Sequence, residues 1–201
     1  MNQFTLIVLA YLIGSVPFAL VIGKGIYQTD VREHGSGNLG ASNSGRVLGM
    51  AAGAAVMVLD AAKVFAVVII AVCFCESAVA VPLGGLAAAI GHCYPVFAKF
   101  KGGKAVAGLY GFLFGLFTVG GYSPWVFFLP LGVFMGVLYC TKIIALASMI
   151  SAAAATVYVY VVAEDLYMVG VLSVISLLIV FRHCENIKRI IKGEENKISW
   201  M

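Results

Sequence analysis

Long apolar runs limit what this chain can fold into more than any other feature. A bilayer core of ~30 Å is crossed by a helix of ~20 mostly apolar residues. Runs of that kind follow one another from Phe4 to Val180, with short polar breaks between them. Only 11% of the 201 residues are charged and 62% are apolar, whereas a soluble domain carries about 25% charged residues. These runs predict an all-α, polytopic integral membrane protein, a single domain over 1–201 with no room for a soluble unit. Seven transmembrane helices are expected, at about 3–24, 46–73, 79–98, 104–119, 124–140, 143–163 and 166–182. The fourth is short and glycine-rich, so a re-entrant segment is the other reading of it. Pro17 falls inside the first, where a neighbouring helix can re-satisfy the freed carbonyl. The first lysine, Lys24, follows the first run rather than preceding it, which predicts a retained helix and not a cleaved leader.

Charge orients the spans. Twelve of the thirteen lysines and arginines fall on one side of a seven-span arrangement: in the 25–45 loop and its edges, in 99–104, at Lys142 and in the tail from Arg182. The other side carries Glu76, Glu164 and Asp165 and no basic residue. The positive-inside rule then puts the basic side and the C-terminus in the cytoplasm and the N-terminus outside. Five scattered cysteines, with no CxxC among them, read as small apolar packing residues.

Three polar clusters lie on the basic side. The first is Gly35-Ser36-Gly37-Asn38-Leu39-Gly40-Ala41-Ser42-Asn43-Ser44-Gly45-Arg46. Such density of Asn and Ser at a helix start suits an anion, because free N–H groups gather there, and Arg46 adds a fork that fits phosphate. The second runs from Gly91-His92 through Pro95 to Lys99, Lys101 and Gly102-Gly103-Lys104. Backbone free to approach a ligand, beside fixed positive charge, can hold a phosphate. The spacing is not that of a P-loop. The third is Arg182 to Lys197, where His183, Asn186 and Arg189 recur every three residues opposite Ile187, Ile190 and Ile191. That pattern is an amphipathic helix leaving the membrane. Taken singly, each cluster also reads as a flexible loop or a basic anchor. Within the second helix, Asp60 and Lys63 share a face at i, i+3 and are expected to pair. At 1.5 Å per residue a straight helix puts Asp60 roughly 21 Å from Arg46, which favours a structural role.

These clusters together resemble the bacterial membrane acyltransferases that acylate glycerol 3-phosphate with acyl phosphate. The resemblance covers essentially the whole chain. It rests on Gly35-Ser36-Gly37-Asn38-x-Gly40-Ala41-Ser42-Asn43-x-x-Arg46, on Gly91-His92-x-x-Pro95 with Phe100-Lys101-Gly102-Gly103-Lys104, and on Arg182-His183-x-x-Asn186-Ile187-x-Arg189 with Gly193 and Glu195. Leu59-Asp60-x-x-Lys63 matches as well. The chain departs from the family pattern at Ser42, where Thr is usual, at Val64, where Gly is common, and at Ala145, where Ser is typical.

The resemblance implies transfer of a fatty acyl group to the 1-hydroxyl of glycerol 3-phosphate, giving lysophosphatidic acid and phosphate, the first step of phospholipid synthesis. It implies a multi-pass protein of the bacterial cell membrane with its site on the cytoplasmic face, working beside the enzyme that makes acyl phosphate. No cofactor, metal or nucleic-acid partner is expected. Acyl phosphate is already activated, so the chemistry needs two anion sites and a held hydroxyl rather than an acyl-enzyme. The sequence agrees: there is no G-x-S-x-G elbow, and the residues five after His34, His92 and His183 are Leu39, Phe97 and Lys188, none a carboxylate. Ser36, Asn38 and Asn43 are expected to hold one phosphate, with Arg46 and Lys104 neutralising charge. Gly102 and Gly103 would give close approach. His183, Asn186 and Arg189 would position glycerol 3-phosphate, and Asp60, Lys63 and Glu195 would be structural. Either His183 or a donor phosphate oxygen could take the proton. A transporter or lipid-binding protein for a phosphorylated molecule is the other reading, and a structural subunit a third.

Overall fold

The computed structural model describes residues 1–163 and 165–198, so the expected turn at Glu164 and the last three residues of the tail lie outside the described residues. Among the described residues every regular element is helical: α1 (Gln3–Gly14), α2 (Phe18–Gly25), α3 (Ala41–Leu48), α4 (Met50–Phe74), α5 (Ala80–Cys93), α6 (Val106–Thr118), α7 (Trp125–Thr141), α8 (Ile144–Tyr158), α9 (Leu166–Arg182) and α10 (Cys184–Ile191). A short 3₁₀ turn, Val96–Ala98, follows α5, and a π turn, Val159–Ala163, extends α8. Four stretches are long and apolar enough to cross a membrane: Gln3–Gly25, Met50–Phe74, Ala80–Ala98 and Ile144–Ala163. Leu166–Arg182 and Cys184–Ile191 meet at a 58° bend and count as a fifth only when taken together as one span; α6 and α7 are shorter apolar helices.

The first two expected spans are each interrupted. Pro17 breaks the first into α1 and α2. The Val16 carbonyl at the break accepts a hydrogen bond from Lys63 Nζ on α4, 2.8 Å away. A neighbouring helix thus satisfies backbone that lipid could not. The second span does not begin at residue 46. Gly49, at φ 98°, occupies a region open to glycine but strained for other residues, and the chain turns there from α3 into α4.

Small residues set the helix crossings. At Gly14 and Gly91 no side chain would fit, because the backbones of Ala88 and Tyr11 lie directly against them, and α1 and α5 meet there. Gly111 of α6 sits in the same way on the Ala61 carbonyl of α4. Lipid gives helices little hydrophobic reason to associate, so close backbone approach and dispersion hold such bundles together. The largest core cluster gathers Leu109, Phe112, Leu113 and Leu116 of α6 with Val64, Val67 and Val68 of α4 and Leu172, Ile175 and Ile179 of α9. Val64 is fully buried and lies opposite Gly108, so the extra bulk at this departure faces a residue without a side chain. Ala145 is buried at the start of α8.

Candidate active site

The 31–40 loop is built around Asn43. Its Oδ1 accepts the Ser36 N–H at 2.8 Å, and its Nδ2 donates to the carbonyls of Val31 and His34 at 2.9 and 3.2 Å. Both amide hydrogens are thereby spent and the side chain is buried. Asn43 is thus a strut that shapes the loop, in place of the phosphate contact expected of it. The shape needs Gly35 and Gly37, both at positive φ (61° and 68°). Ser36 stands exposed on this loop, and Arg46 stands exposed near the end of α3 with no hydrogen bond or ion pair among the described residues. Lys24 and Arg32 differ: both pair with Asp30, whose carboxyl is held well below its usual range, first by the Arg32 hydrogen bond. The N-cap of α3 is Gly40, and no side chain caps it, so the first-turn amides stay available to an anion.

The glycine pair of the second cluster has a different task from the one expected. A Cβ on Gly102 would meet the carbonyls of His92 and Cys93, and one on Gly103 would meet the His92 ring. The glycines let the loop lie on the end of α5, and the close approach is to His92 rather than to a ligand. The Gly103 N–H donates to the His92 carbonyl at 3.0 Å. From the other side Arg182 donates to the carbonyls of Gly102 and Gly103, both at 3.0 Å. Asn38 Nδ2 reaches the Gly102 carbonyl at 3.5 Å, a long contact. His92 and Arg182 belong to the second and third motifs, but the sequence assigned neither a role; the structure shows both holding the Gly102-Gly103 backbone.

The third cluster closes the site. Lys104 Nζ donates to Asn186 Oδ1. Asn186 Nδ2 donates to Glu195 Oε1 at 2.6 Å, and Arg189 Nε pairs with Glu195 Oε2 at 2.7 Å. The tail is held near by the Ile198 N–H, which donates to the Lys142 carbonyl at 2.9 Å. His183, at the α9–α10 junction, is buried, with Nδ1 2.8 Å from the Ile179 carbonyl. A carbonyl only accepts, so Nδ1 carries the proton and Nε2 presents a lone pair. Burial first, then the Lys104 and Arg182 charges, lower its pKa to about 4, against the Ile179 hydrogen bond and Glu195. Lys104 is lowered to about 8, first by burial and then by Arg189, Arg182 and Arg46, while Glu195 opposes the shift.

All three polar clusters therefore meet. Arg46, Arg182 and Arg189 each lie close enough to Lys104 for their charge to act on it, and the Glu195 carboxylate acts in the opposite sense. Such an excess of positive charge beside unused amides is built for anions.

Comparison with known proteins places the chain in a family. The family model described as glycerol-3-phosphate acyltransferase matches residues 4–193. The chain belongs to that family. It is 43% identical over 197 residues to the glycerol-3-phosphate acyltransferase of Bacillus subtilis (strain 168), covering 98% of this chain and 97% of the relative. The enzyme of the same name from Geobacillus kaustophilus (strain HTA426) is 42% identical over 203 residues, covering 97% and 95%. The crystal structure of PlsY (YgiH), an integral membrane glycerol 3-phosphate acyltransferase, in its glycerol 3-phosphate form, matches with a TM-score of 0.90 at 36% identity. The match covers 99% of this chain and 96% of that chain. The lysophosphatidic acid form of PlsY matches with a TM-score of 0.88, also at 36% identity. The protein is accordingly an all-helical, multi-pass membrane protein.

Proposed function

We propose that this protein transfers a fatty acyl group from acyl phosphate to the 1-hydroxyl of glycerol 3-phosphate, giving lysophosphatidic acid and inorganic phosphate. The observation that carries the reading is the joining of the polar clusters: Arg182 on the Gly102 and Gly103 carbonyls, Lys104 on Asn186 and Arg189 on Glu195, with Arg46 near enough to act on Lys104. Two phosphorylated substrates require about that much positive charge, and a relative's structure is a glycerol 3-phosphate form. The acyl-phosphate donor is our extension of those observations.

In this mechanism the glycerol 3-phosphate hydroxyl oxygen attacks the acyl carbonyl carbon directly. The carbon–oxygen bond to phosphate breaks and phosphate leaves. Ser36, Asn38, the first-turn amides of α3 and Arg46 hold one phosphate, while Lys104, Asn186 and Arg189 hold the other. His183 Nε2 accepts a hydrogen bond from the attacking hydroxyl and aims it. An imidazole with a pKa of about 4 is a weak base, so the proton ends on an oxygen of the departing phosphate. The acyl tail lies between helices, open to the lipid. We further infer seven spans, with α6 and α7 completing the set, the N-terminus outside and the site facing the cytoplasm of a bacterial cell, as the basic residues on that side require. There the enzyme would work next to the source of acyl phosphate.

The test is a donor panel with purified protein and glycerol 3-phosphate. Acyl phosphate should yield lysophosphatidic acid and phosphate in equal amounts, and acyl-CoA and acyl carrier protein should yield none. Turnover with either thioester and none with acyl phosphate would refute the donor assignment.

A further inference from the structure

Asp60, Lys63 and His92 form a buried charged cluster that the mechanism above does not use. Lys63 Nζ lies 2.7 Å from Asp60 Oδ1, and His92 Nδ1 lies 3.5 Å from the same oxygen. All three side chains are almost fully buried. A buried ion pair rarely repays its own desolvation, and inside a membrane helix the cost is greater. A purely stabilising role would be better served by apolar packing, so the cluster's neighbours become informative. Lys63 also donates to Val16 at the α1–α2 break. His92 carries the cluster to the site: its carbonyl takes the Gly103 N–H, and its ring fills the space where Gly103 lacks a side chain. Asp60, Lys63, His92, Pro95, Gly102 and Gly103 line one gap too narrow to admit a water molecule. The residue after Gly103 is Lys104.

The distance expected from a straight helix does not apply, because Gly49 separates Arg46 from the helix that carries Asp60. Asp60 meets the site sideways, through α5. Resting on the functional reading above, we propose that Asp60 is a positioning residue of the acyl-transfer site. Its carboxylate orients the His92 ring, the ring and carbonyl of His92 set the Gly102-Gly103 backbone against the pull of Arg182, and that backbone aims Lys104 Nζ at the substrate phosphate. Lys63 neutralises the carboxylate and ties the unit to the α1–α2 break.

The experiment compares wild type, Asp60→Asn, the doubly neutral Asp60→Asn/Lys63→Met, His92→Leu and His92→Asn in the same detergent. It reads thermal unfolding, amide exchange of 99–105, and kcat and KM for glycerol 3-phosphate. The double variant removes both buried charges, so it keeps the protein folded if the single variant does not. It should stay folded, unfolding below wild type because the Val16 carbonyl loses its Lys63 partner, and should raise KM about tenfold or more, with faster exchange in the glycine loop. His92→Leu should raise KM and loop exchange in the same way, and His92→Asn, which keeps a donor toward Asp60, should recover part of the loss. A folded double variant with wild-type loop exchange and wild-type KM overturns the proposal. So does one that lowers kcat and unfolding temperature together and leaves KM and loop exchange unchanged, since that is a structural role alone. Absence of acyl transfer by wild type would instead count against the functional reading, and loop exchange would still decide the role of Asp60.

Discussion

Lys104 and His183 each sit where burial and neighbouring cations work against their protonated forms. In the folded protein Lys104 releases its proton near pH 8, while an unfolded chain keeps it to about 10.5. Between those values the unfolded state binds more protons, so this residue's contribution to stability increases with pH. Substrate binding has the opposite dependence, because phosphate needs the ammonium. KM for glycerol 3-phosphate should climb as pH is raised from 7 to 9, steeply above about 8, and Lys104→Arg, charged throughout, should flatten that climb. A flat profile in wild type would exclude Lys104 as a phosphate ligand. His183 is held neutral down to about pH 4 against an ordinary value of 6.5. Its contribution is complete above 6.5 and is lost as pH falls towards 4, since the unfolded chain takes up the proton first. Replacing it in His183→Gln should therefore narrow the loss of thermal stability between pH 7 and 5, and should lower kcat by roughly a hundredfold because the attacking hydroxyl is no longer aimed. A variant with wild-type kcat would remove His183 from the mechanism.

At the scale of elements, apolar length marked several of the long helices and did not mark their interruptions. Apolar length is a strong signal, and α4, α5 and α8 begin or end within a few residues of expectation. The separation of α3 from α4 rests on a single φ value at Gly49, and a glycine inside an apolar pattern does not announce which angle it takes. The same limit explains the site. Ser36, Asn38, Arg46, Lys104, His183, Asn186 and Arg189 stand out as candidates because polar residues are conspicuous in an apolar chain, and their roles are those proposed above. The strut role of Asn43 and the packing role of Gly102 and Gly103 depend on which backbone atoms lie opposite, information no spacing contains. α3 is held on α4 where Gly45 faces Gly53, whose added Cβ would come within 2.7 Å of Gly45 Cα. Gly53→Val should push α3 outward and move Arg46 with it. The expected result is a lower unfolding temperature and a KM raised severalfold for a phosphorylated substrate, with Gly53→Ala intermediate. An unchanged KM in Gly53→Val would show that the α3 position does not matter to binding.

For the whole molecule, three segments far apart in sequence come together in one helical bundle through the contacts of Arg182, Lys104 and Asn38. The cytoplasmic facing proposed for them rests on charge, and native cysteines can test it. Cys184 is exposed at the start of α10, beside the site, and Cys75 caps the opposite end of α4. A membrane-impermeant thiol reagent should label Cys184 in inside-out vesicles and Cys75 in right-side-out ones; the reverse pattern would invert the topology. The central claim is that both substrates occupy this site together and that the hydroxyl attacks acyl phosphate without an acylated protein between. Initial rates with acyl phosphate and glycerol 3-phosphate both varied test it most directly. Double-reciprocal lines that intersect are the predicted result. Parallel lines, with acyl-protein detected by mass when glycerol 3-phosphate is withheld, would contradict it.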